Sequence, residues 1–301
     1  MVAASAEHVD QWVLILPHKP PTMVKSHIAQ DGIDDILLGL FGAVVPHSHR
    51  LDHAVRFFGT WSGSDKLMML AQYAVKLLAP LMQLRAEVQF RAGKREKPLS
   101  PTTDGLNKFA GQLGLARRVS GFWGILAILK GLSALERHRP KSRFQLNLQR
   151  LQGISMLFYY PLDYLAFFSS PLAPLLPGVS PQTSAKATLW SIRSWGVYVF
   201  LQTVQLLGEW KEVAQKELAL KKAPEHDANW NVEAAAAGKR KQAVCYQLAA
   251  NISRLPVILH WSVVGGLYKN EHWSTVLSFI SAVAAIRGGW ETHRVPPPHG
   301  P

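Results

Sequence analysis

Three histidines and an aspartate near residue 50 are the side chains best able to hold a metal ion. His47, His49 and His53 follow an HxHx3H spacing, and Asp52 lies beside the last of them. On a helix His49 and His53 would share one face, as ligands of a zinc site can. The cluster directly follows Pro46 in a chain with twelve histidines. A polar helix start is therefore the favoured interpretation, and we predict no metal site.

Other patterns that could carry chemistry are incomplete. Ser62 precedes Gly63, but Gly59 stands at the wrong position for a Gly-x-Ser-x-Gly elbow. Asp34 and Asp35 are adjacent at a predicted helix start and do not resemble a catalytic carboxylate pair. The sequence contains no phosphate-binding glycine loop and no dinucleotide fingerprint. We therefore predict a protein that is not an enzyme, with no catalytic residue and no cofactor.

The composition favours contact with a membrane surface. The chain has 301 residues, a formal charge of +13, and 48% hydrophobic residues. Its basic residues alternate with apolar stretches, and the run from Lys239 to Lys241 is too short to indicate nucleic-acid binding. Cys245 is the only cysteine, which excludes an internal disulfide and a multi-cysteine zinc site. We expect anionic lipid, and no nucleic acid, as a partner.

The stretch from Phe57 to Leu81 has the pattern of a one-sided helix. Ser64 is its predicted N-cap, and Pro80 should kink or end it because proline lacks a backbone donor. Apolar residues recur at the spacing of one helical face: Leu67, Leu70, Ala71, Ala74, Leu77, Leu78 and Leu81. A narrow polar strip lies opposite: Lys66, Tyr73, Lys76 and Gln83. We predict that the apolar face is buried against other helices.

The order of residues in this stretch resembles the N-terminal signature of the peroxisomal biogenesis factor 11 (peroxin-11) family. The matching residues are Gly63, Asp65, Lys66, Gln72, Tyr73, Lys76, Leu77 and Leu78. Ser64 and Met69 stand where the family usually has arginines. The resemblance is therefore to a divergent member, and the fungal type is one option.

A second segment, from Leu106 to Glu136, combines an apolar face with basic residues. Leu115, Val119, Phe122, Leu126 and Leu129 share the apolar face, and Lys108, Arg117 and Arg118 lie away from it. Such a helix can rest in a lipid headgroup layer, and the resemblance implies a membrane-bending helix here. We predict that Lys108, Arg117, Arg118, Val119, Phe122, Leu126 and Leu129 bind membrane. A core helix of a bundle with surface arginines is the alternative, and the segment's five glycines require support from lipid or a neighbouring helix.

The C-terminal third supplies a further part of the resemblance. Its motif residues match the family's closing pair of helices: Leu255, Pro256, His260, Trp261, Gly288 and Trp290. Four aromatic residues, Trp261, Tyr268, Trp273 and Trp290, are candidates for interfacial anchors. Aromatic packing between helices is the alternative for all four.

Taken along the chain, these patterns predict an all-α, membrane-associated bundle of amphipathic and short apolar helices without a β-sheet. We expect an irregular lead-in over 1–50 that contains a helix from Ile33 to Val45. A helical region over 51–222, a linker over 223–240, a closing helical pair over 241–293 and a disordered tail over 294–301 follow. Embedding and interfacial attachment both stay open, because no stretch is an uninterrupted span of about 20 apolar residues. The best candidates for embedding are Leu189–Gly208 and Trp273–Trp290.

The resemblance implies a peroxisomal membrane protein that elongates the membrane, promotes peroxisome division and controls peroxisome number and size. The segment from Leu106 to Glu136 would wedge into one leaflet. Implied partners are anionic peroxisomal lipids, related chains in homo- or hetero-oligomers, and the fission machinery. The alternative is a membrane pore or solute-transport component, with Asp163, Arg193 and Arg254 as polar residues inside the membrane. A soluble helical adaptor is a third hypothesis.

Overall fold

The computed structural model describes residues 48–222 and 230–292, which form eight α-helices and one 3₁₀ turn. The helices are α1 (His49–Phe58), α2 (Trp61–Arg91), α3 (Pro101–Ser120), α4 (Gly124–Arg137), α5 (Arg143–Phe168), α6 (Pro181–Lys222), α7 (Trp230–Ser262) and α8 (His272–Thr292). The 3₁₀ turn, Gly121–Trp123, joins α3 to α4. These two ranges contain no β-strand, and the predicted all-α fold is confirmed. The lead-in before residue 48, its predicted helix and the tail from residue 293 lie outside the described residues.

The helices form a closed ring. α2 packs against α3 on one side and α8 on the other, and each neighbouring pair from α4 to α8 is in contact. The 3₁₀ turn connects α3 directly to α4. The contacts therefore lead from α2 through each helix in turn and back to α2. α1 packs on α2, and His53 Nε2 lies 3.0 Å from the carbonyl oxygen of Trp290 in α8. α1 therefore contacts both α2 and α8, the two helices that close the ring.

The turn between α1 and α2 depends on Thr60 and Gly63. Thr60 Oγ1 accepts a hydrogen bond from the Gly63 N–H at 3.0 Å and donates one to the Phe57 carbonyl at 2.8 Å. Thr60 is therefore the N-cap of α2, and the prediction of Ser64 is wrong. Ser64 lies inside the first turn, where its hydroxyl donates to the Phe58 carbonyl at 2.5 Å. The helix begins at this earlier position because the Thr60 hydroxyl pairs two backbone groups. It accepts a hydrogen bond from a free N–H of the first turn and donates one to the Phe57 carbonyl.

Many large apolar side chains are exposed on the ring, and small or polar residues fill many of its helix contacts beside larger buried side chains such as Phe57, Val199 and Ile258. The hydrophobic core cluster within the described part of the chain consists of Leu206, Val244 and Leu248 alone. Buried small residues lie on most helices: Ala79, Ala86, Ala110, Ala187, Ser191, Ala243, Ala250, Ser281 and Ala282. Small residues let helix backbones approach closely, which is the packing typical of helices in membranes.

The apolar face of α2 lies on the outside of the ring. Leu67, Leu78 and Leu81 are 44%, 46% and 56% exposed. The prediction that this face is buried against other helices is therefore wrong for the fold of the chain itself. The buried residues of α2 are Met69, Gln72 and the small residues of the helix. Lys66 and Tyr73 of the opposite polar strip line the interior of the ring, whereas Lys76 is exposed.

Two further boundaries differ from the sequence predictions. α2 runs through Pro80 to Arg91, so proline does not end the helix; contacts with α3 and α8 offset the lost hydrogen bond. Residues 230–240, predicted as part of a linker, belong to α7, and residues 223–229 lie outside the described part.

Lys241 Nζ in α7 donates to Glu217 Oε2 in α6 at 2.7 Å, and this hydrogen bond raises the pKa of Lys241.

Two helical stretches are long and apolar enough to cross a membrane: Trp61–Arg91 and Pro101–Arg137. Only 17% and 11% of their most apolar windows are buried inside the protein, whereas the core helix of a soluble protein is mostly buried. The stretches favoured from the sequence, Leu189–Gly208 and Trp273–Trp290, are not among them. In the first, Gln202 and Gln205 interrupt the apolar run and hydrogen-bond to neighbouring helices.

Candidate functional site

The ring contains an open cavity of about 1570 Å³ that is lined by α1, α2, α3 and the four helices from α5 to α8. Its charged lining is Asp52, Arg56, Asp65, Lys66, Arg117, Arg118, Asp163 and Arg254. Apolar side chains such as Met69, Met156 and Val257 form other parts of the wall. Charges inside a ring with an apolar outer surface make this cavity the candidate functional site.

Arg117 joins α3 to α2 across one wall of the cavity. Its Nε and Nη2 atoms donate to the two carboxylate oxygens of Asp65 at 2.8 and 3.3 Å. Its Nη1 atom donates to Gln72 Oε1 at 2.9 Å. Because a guanidinium group binds a carboxylate best in this two-pronged geometry, Asp65 and Gln72 of the family signature act as anchors for α3.

Arg118 makes the corresponding connection from α3 to α5. Its Nε atom donates to Asp163 Oδ2 at 3.0 Å, and its Nη2 atom donates to Oδ1 at 2.5 Å. The guanidinium also lies 5.1 Å from the ring centre of Phe167, and the Tyr164 hydroxyl donates to the Arg118 carbonyl at 2.8 Å. The two adjacent arginines thus fix the end of α3, next to the 3₁₀ turn, to both flanking helices.

Amide pairs connect the next helices around the cavity. Gln152 Nε2 in α5 donates to Gln205 Oε1 in α6 at 2.9 Å. Asn251 Nδ2 in α7 donates to Gln202 Oε1 in α6 at 3.1 Å. Hydrogen bonds between side chains stabilise helix contacts that have no hydrophobic driving force.

Three cations of the cavity have no ion pair within 4 Å among the described residues: Arg56, which is exposed, and Lys66 and Arg254, which are half-buried. Lys66 Nζ donates to Ser62 Oγ at 2.8 Å and lies 5.8 Å from the ring centre of Phe57. Arg254 Nη2 lies 4.0 Å from the sulfur of Met69, and the guanidinium lies 5.8 Å from the ring centre of Trp195. The lining contains two more cations than carboxylates, so the cavity has a net positive charge.

The residues predicted to bind membrane fall into two groups. The apolar residues of this set are exposed: Val119 in α3, Phe122 in the 3₁₀ turn, and Leu126 and Leu129 in α4. Lys108 is also exposed and pairs with Asp104 at 2.7 Å. Arg117 and Arg118 instead point into the ring and are occupied by Asp65 and Asp163. Contact of this segment with lipid stays a prediction, and the two arginines are placed where they hold helices together.

The remaining signature residues shape the cavity end of α2. A Cβ atom on Gly63 would lie 1.9 Å from the carbonyl oxygen of Phe57, so only glycine fits beneath the α1–α2 turn. Lys66 and Tyr73 line the cavity. Lys76 is exposed and lies 5.6 Å from the Tyr73 ring centre.

The C-terminal motif organises the turn from α7 to α8. His260 is buried; its Nδ1 atom accepts a hydrogen bond from the Leu267 N–H at 2.8 Å, which leaves Nε2–H to donate to Glu271 Oε1 at 2.9 Å. The imidazole stacks on Tyr268 with ring centres 3.8 Å apart. Gly266 has φ +73° and packs on this imidazole, so an L-residue there would be strained.

The other motif residues contact the cavity or the closing pair of helices. Leu255 and Pro256 lie within α7, and Trp261 lines the cavity near the end of that helix. Gly288 packs against Tyr246 of α7. Trp290 stacks on His53 with ring centres 3.9 Å apart. His53 therefore has a packing role, and the described residues include no group of three His, Cys, Asp or Glu side chains that could hold a metal ion.

The sequence analysis did not predict the cavity itself. A signal was available, because Gln247, Asn251 and Arg254 recur at four- and three-residue spacing in α7 and all three line the cavity. Gln202 lines it from α6. Polar residues at helical spacing within apolar helices indicate a polar interior when the exterior is lipid.

The comparison with known proteins rests on one family. The family model for Peroxisomal biogenesis factor 11 (PEX11) matches residues 51–290, which include every helix of the ring. No curated protein and no solved structure matches the chain. The option of a fungal-type member is not confirmed. The family model covers most of the chain, from Leu51 in α1 to the stacked Trp290 in α8, and the chain therefore belongs to the peroxisomal biogenesis factor 11 family.

Proposed function

We propose that the chain elongates and remodels the peroxisomal membrane, and thereby promotes peroxisome division and controls peroxisome number and size. Its family is involved in peroxisome biogenesis and proliferation. The observation that supports the finer role is the apolar outer surface of the ring, which is richest in α2 and in the stretch from α3 to α4. Such a surface is costly in water and favourable in lipid.

The stretch from α3 to α4 is the proposed wedge. It spans 37 residues, or about 55 Å of helix at 1.5 Å per residue, and the hydrocarbon core of a bilayer is about 30 Å thick. The 3₁₀ turn breaks this length, and the adjoining apolar residues Phe122, Trp123, Leu126 and Leu129 are exposed. If α4 displaces lipid mainly in one leaflet, that leaflet expands relative to the other and the membrane curves.

The ion pairs of Arg117 and Arg118 attach the wedge rigidly to the rest of the ring. They fix the end of α3 to Asp65 of α2 and Asp163 of α5, next to the exposed apolar residues of the wedge. Force from the displaced lipid would therefore reach the whole ring. The proposed role of the two arginines is therefore to position α3. They do not bind lipid phosphates directly in this mechanism.

Anionic lipids are proposed partners at the ends of the wedge. Lys94 and Lys97 are exposed before α3, and Arg137, Arg139 and Lys141 are exposed at and after the end of α4. Each cation near an anionic surface contributes about 1 kcal/mol. Homo- or hetero-oligomers with related chains would concentrate the wedges, and the fission machinery would act on the elongated membrane.

The test compares two double variants of the full chain in cells that lack their own copy. Phe122→Ser with Leu126→Ser should give fewer and larger peroxisomes by fluorescence microscopy. The matched control is Leu218→Ser with Val232→Ser, which changes two exposed apolar residues in the more polar ends of α6 and α7 and should leave peroxisomes normal. Normal number and shape in the wedge variant, at equal protein level and helicity, would overturn the proposal.

The cavity supports a second candidate function, that of a membrane pore or solute-transport component. A cavity of about 1570 Å³ with charged and polar side chains in its lining, inside a ring with an apolar exterior, is the arrangement that such a component requires. Asp163 and Arg254, two of the predicted intramembrane residues, line it, whereas Arg193 bonds to the Ser262 carbonyl at 3.2 Å. Conductance of the purified chain in planar bilayers tests this candidate, and its absence would remove it.

A further inference from the structure

The unpaired cations of the cavity are the strongest unexplained feature of the molecule. Arg117 and Arg118 have carboxylate partners, but Arg56, Lys66 and Arg254 have no ion pair within the described ranges 48–222 and 230–292. Arg56 is exposed, whereas Lys66 and Arg254 are half-buried. Lys66 and Arg117 both lie close enough to Arg254 for their charges to act on it. Three cations therefore lie near one another in the cavity lining, and the nearby carboxylate of Asp65 is paired with Arg117.

The donors of Arg254 face the cavity. The only hydrogen bond of its guanidinium within the described part of the chain is the long contact from Nη2 to the Met69 sulfur at 4.0 Å. No fully buried side-chain nitrogen or oxygen of the described residues lacks a partner. The remaining Arg254 donors are therefore accessible, and Arg254 lines the cavity.

Such an arrangement is unfavourable without a counter-ion. A charge that is partly removed from bulk water is unfavourable unless it is paired and hydrogen-bonded. The cavity has two positive charges in excess of its carboxylates, and the hydroxyl groups of Tyr73 and Tyr198 together with the Asn251 amide lie in the same lining. The site therefore offers both charge and hydrogen bonds to a dianion.

We propose that the cavity binds a phosphate monoester, with the phosphate group between Arg254 and Lys66. A phosphate monoester has a charge of about −1.5 to −2 at pH 7, which matches the excess charge, and a guanidinium fork suits phosphate oxygens. The cavity is far larger than one phosphate group, and Met156, Leu206 and Val257 line other parts of it. The rest of the ligand is accordingly an organic group that is at least partly apolar.

A phosphate monoester can come from two sources. One is a soluble phosphorylated metabolite that enters the cavity from water. The other is the headgroup of a phosphatidic-acid-type lipid from the surrounding bilayer. Both present the same phosphate chemistry to Arg254 and Lys66, and the inference does not depend on whether the wedge remodels membranes.

The experiment uses the purified full chain in dodecyl maltoside micelles and follows thermal unfolding. The probes are inorganic phosphate, glycerol 3-phosphate, and phosphatidic acid in mixed micelles. Stabilisation by the first two identifies a soluble ligand, and stabilisation by phosphatidic acid alone identifies the lipid headgroup. No stabilisation by any probe up to millimolar concentration would overturn the proposal.

Arg254→Met removes the charge and keeps a side chain of similar length, and Arg85→Met is the matched control on the exposed side of α2. Arg254→Met should weaken binding of the effective probe by about tenfold or more, since a hydrogen bond to a charged group is lost. Arg85→Met should bind as the wild type does.

The unfolding midpoint without ligand separates a binding site from a purely structural role. Arg254→Met should melt at the wild-type temperature or above it, because an unpaired charge is removed. If this variant does not fold, Arg254→Lys and Lys66→Met should fold and show weakened binding. Unchanged affinity in the variants that fold would overturn the proposal.

Discussion

The ion pair between Asp65 and Arg117 allows the closed ring to be tested by a substitution at a single carboxylate. The side chains of Asp65 and Arg117 are 26% and 21% exposed, and two hydrogen bonds join them at 2.8 and 3.3 Å. Asp65→Ala would leave Arg117 with only the neutral Gln72 oxygen as a partner. It would also raise the positive excess of the cavity by one charge.

Loss of one partner from a buried ion pair costs about 3–5 kcal/mol. Because this pair keeps partial exposure, we expect Asp65→Ala to lower the free energy of unfolding by about 3 kcal/mol, the low end of that range. The assay is equilibrium unfolding of the full chain in detergent micelles, followed by circular dichroism.

The double variant Asp65→Ala with Arg117→Met should recover about 1–2 kcal/mol relative to the sum of the single changes, because no unpaired charge remains. The matched control is Asp104→Ala. Its ion pair with Lys108 is 2.7 Å long but the side chains are 67% and 73% exposed, and we expect no measurable change. Equal behaviour of Asp65→Ala and Asp104→Ala would refute the closed ring. A gain in vesicle binding by Asp65→Ala without loss of stability would instead support lipid contact by Arg117.

Three further changes test the turn and the two sides of α2. Gly63→Ala should destabilise the fold by about 2 kcal/mol or more, since its Cβ would overlap the Phe57 carbonyl, while Gly105→Ala in open space should stabilise α3 by about 0.5–1 kcal/mol; equal unfolding midpoints would contradict the turn geometry. Ala79→Leu should cost about 1–3 kcal/mol, because Ala79 is buried in a close helix contact, and a midpoint at the wild-type value would show that the contact is loose. Leu81→Ser should leave unfolding in detergent unchanged and lower retention in membranes at alkaline pH; lost stability in detergent would place this side chain inside the protein.

Helical periodicity predicted the class of the fold but not the direction in which α2 faces. The spacing of Leu67, Leu78 and Leu81 defines one face correctly, and in water burial of that face against protein would be the favoured outcome. In the structure these three leucines are exposed, whereas Lys66 and Tyr73 of the polar strip line the cavity. Periodicity gives two faces of a helix, and the solvent decides which one turns inward.

The sequence identified the functional residues by their chemical type more often than by the role that they have in the structure. Arg117, Arg118 and Asp163 were identified as notable charges, yet their pairing joins α2, α3 and α5, which are distant in sequence. Local patterns cannot show such contacts. The N-cap at Thr60 was missed for a local reason, since Ser64 has the same chemistry and stands before the same apolar run.

Lipid contact by the outer face of the ring is the central claim, and a spin label on that face tests it most directly. Cys245 is the only cysteine, so Cys245→Ala provides a background for a single nitroxide on Leu81→Cys in the outer face of α2. A second label on Tyr73→Cys reports on the cavity. In liposomes containing anionic lipid, the label at position 81 should be relaxed strongly by oxygen, which concentrates in lipid, and weakly by a water-soluble nickel chelate. The label at position 73 should be shielded from oxygen in comparison. Strong relaxation of the label at position 81 by the nickel chelate, with weak relaxation by oxygen, would contradict contact of this face with lipid.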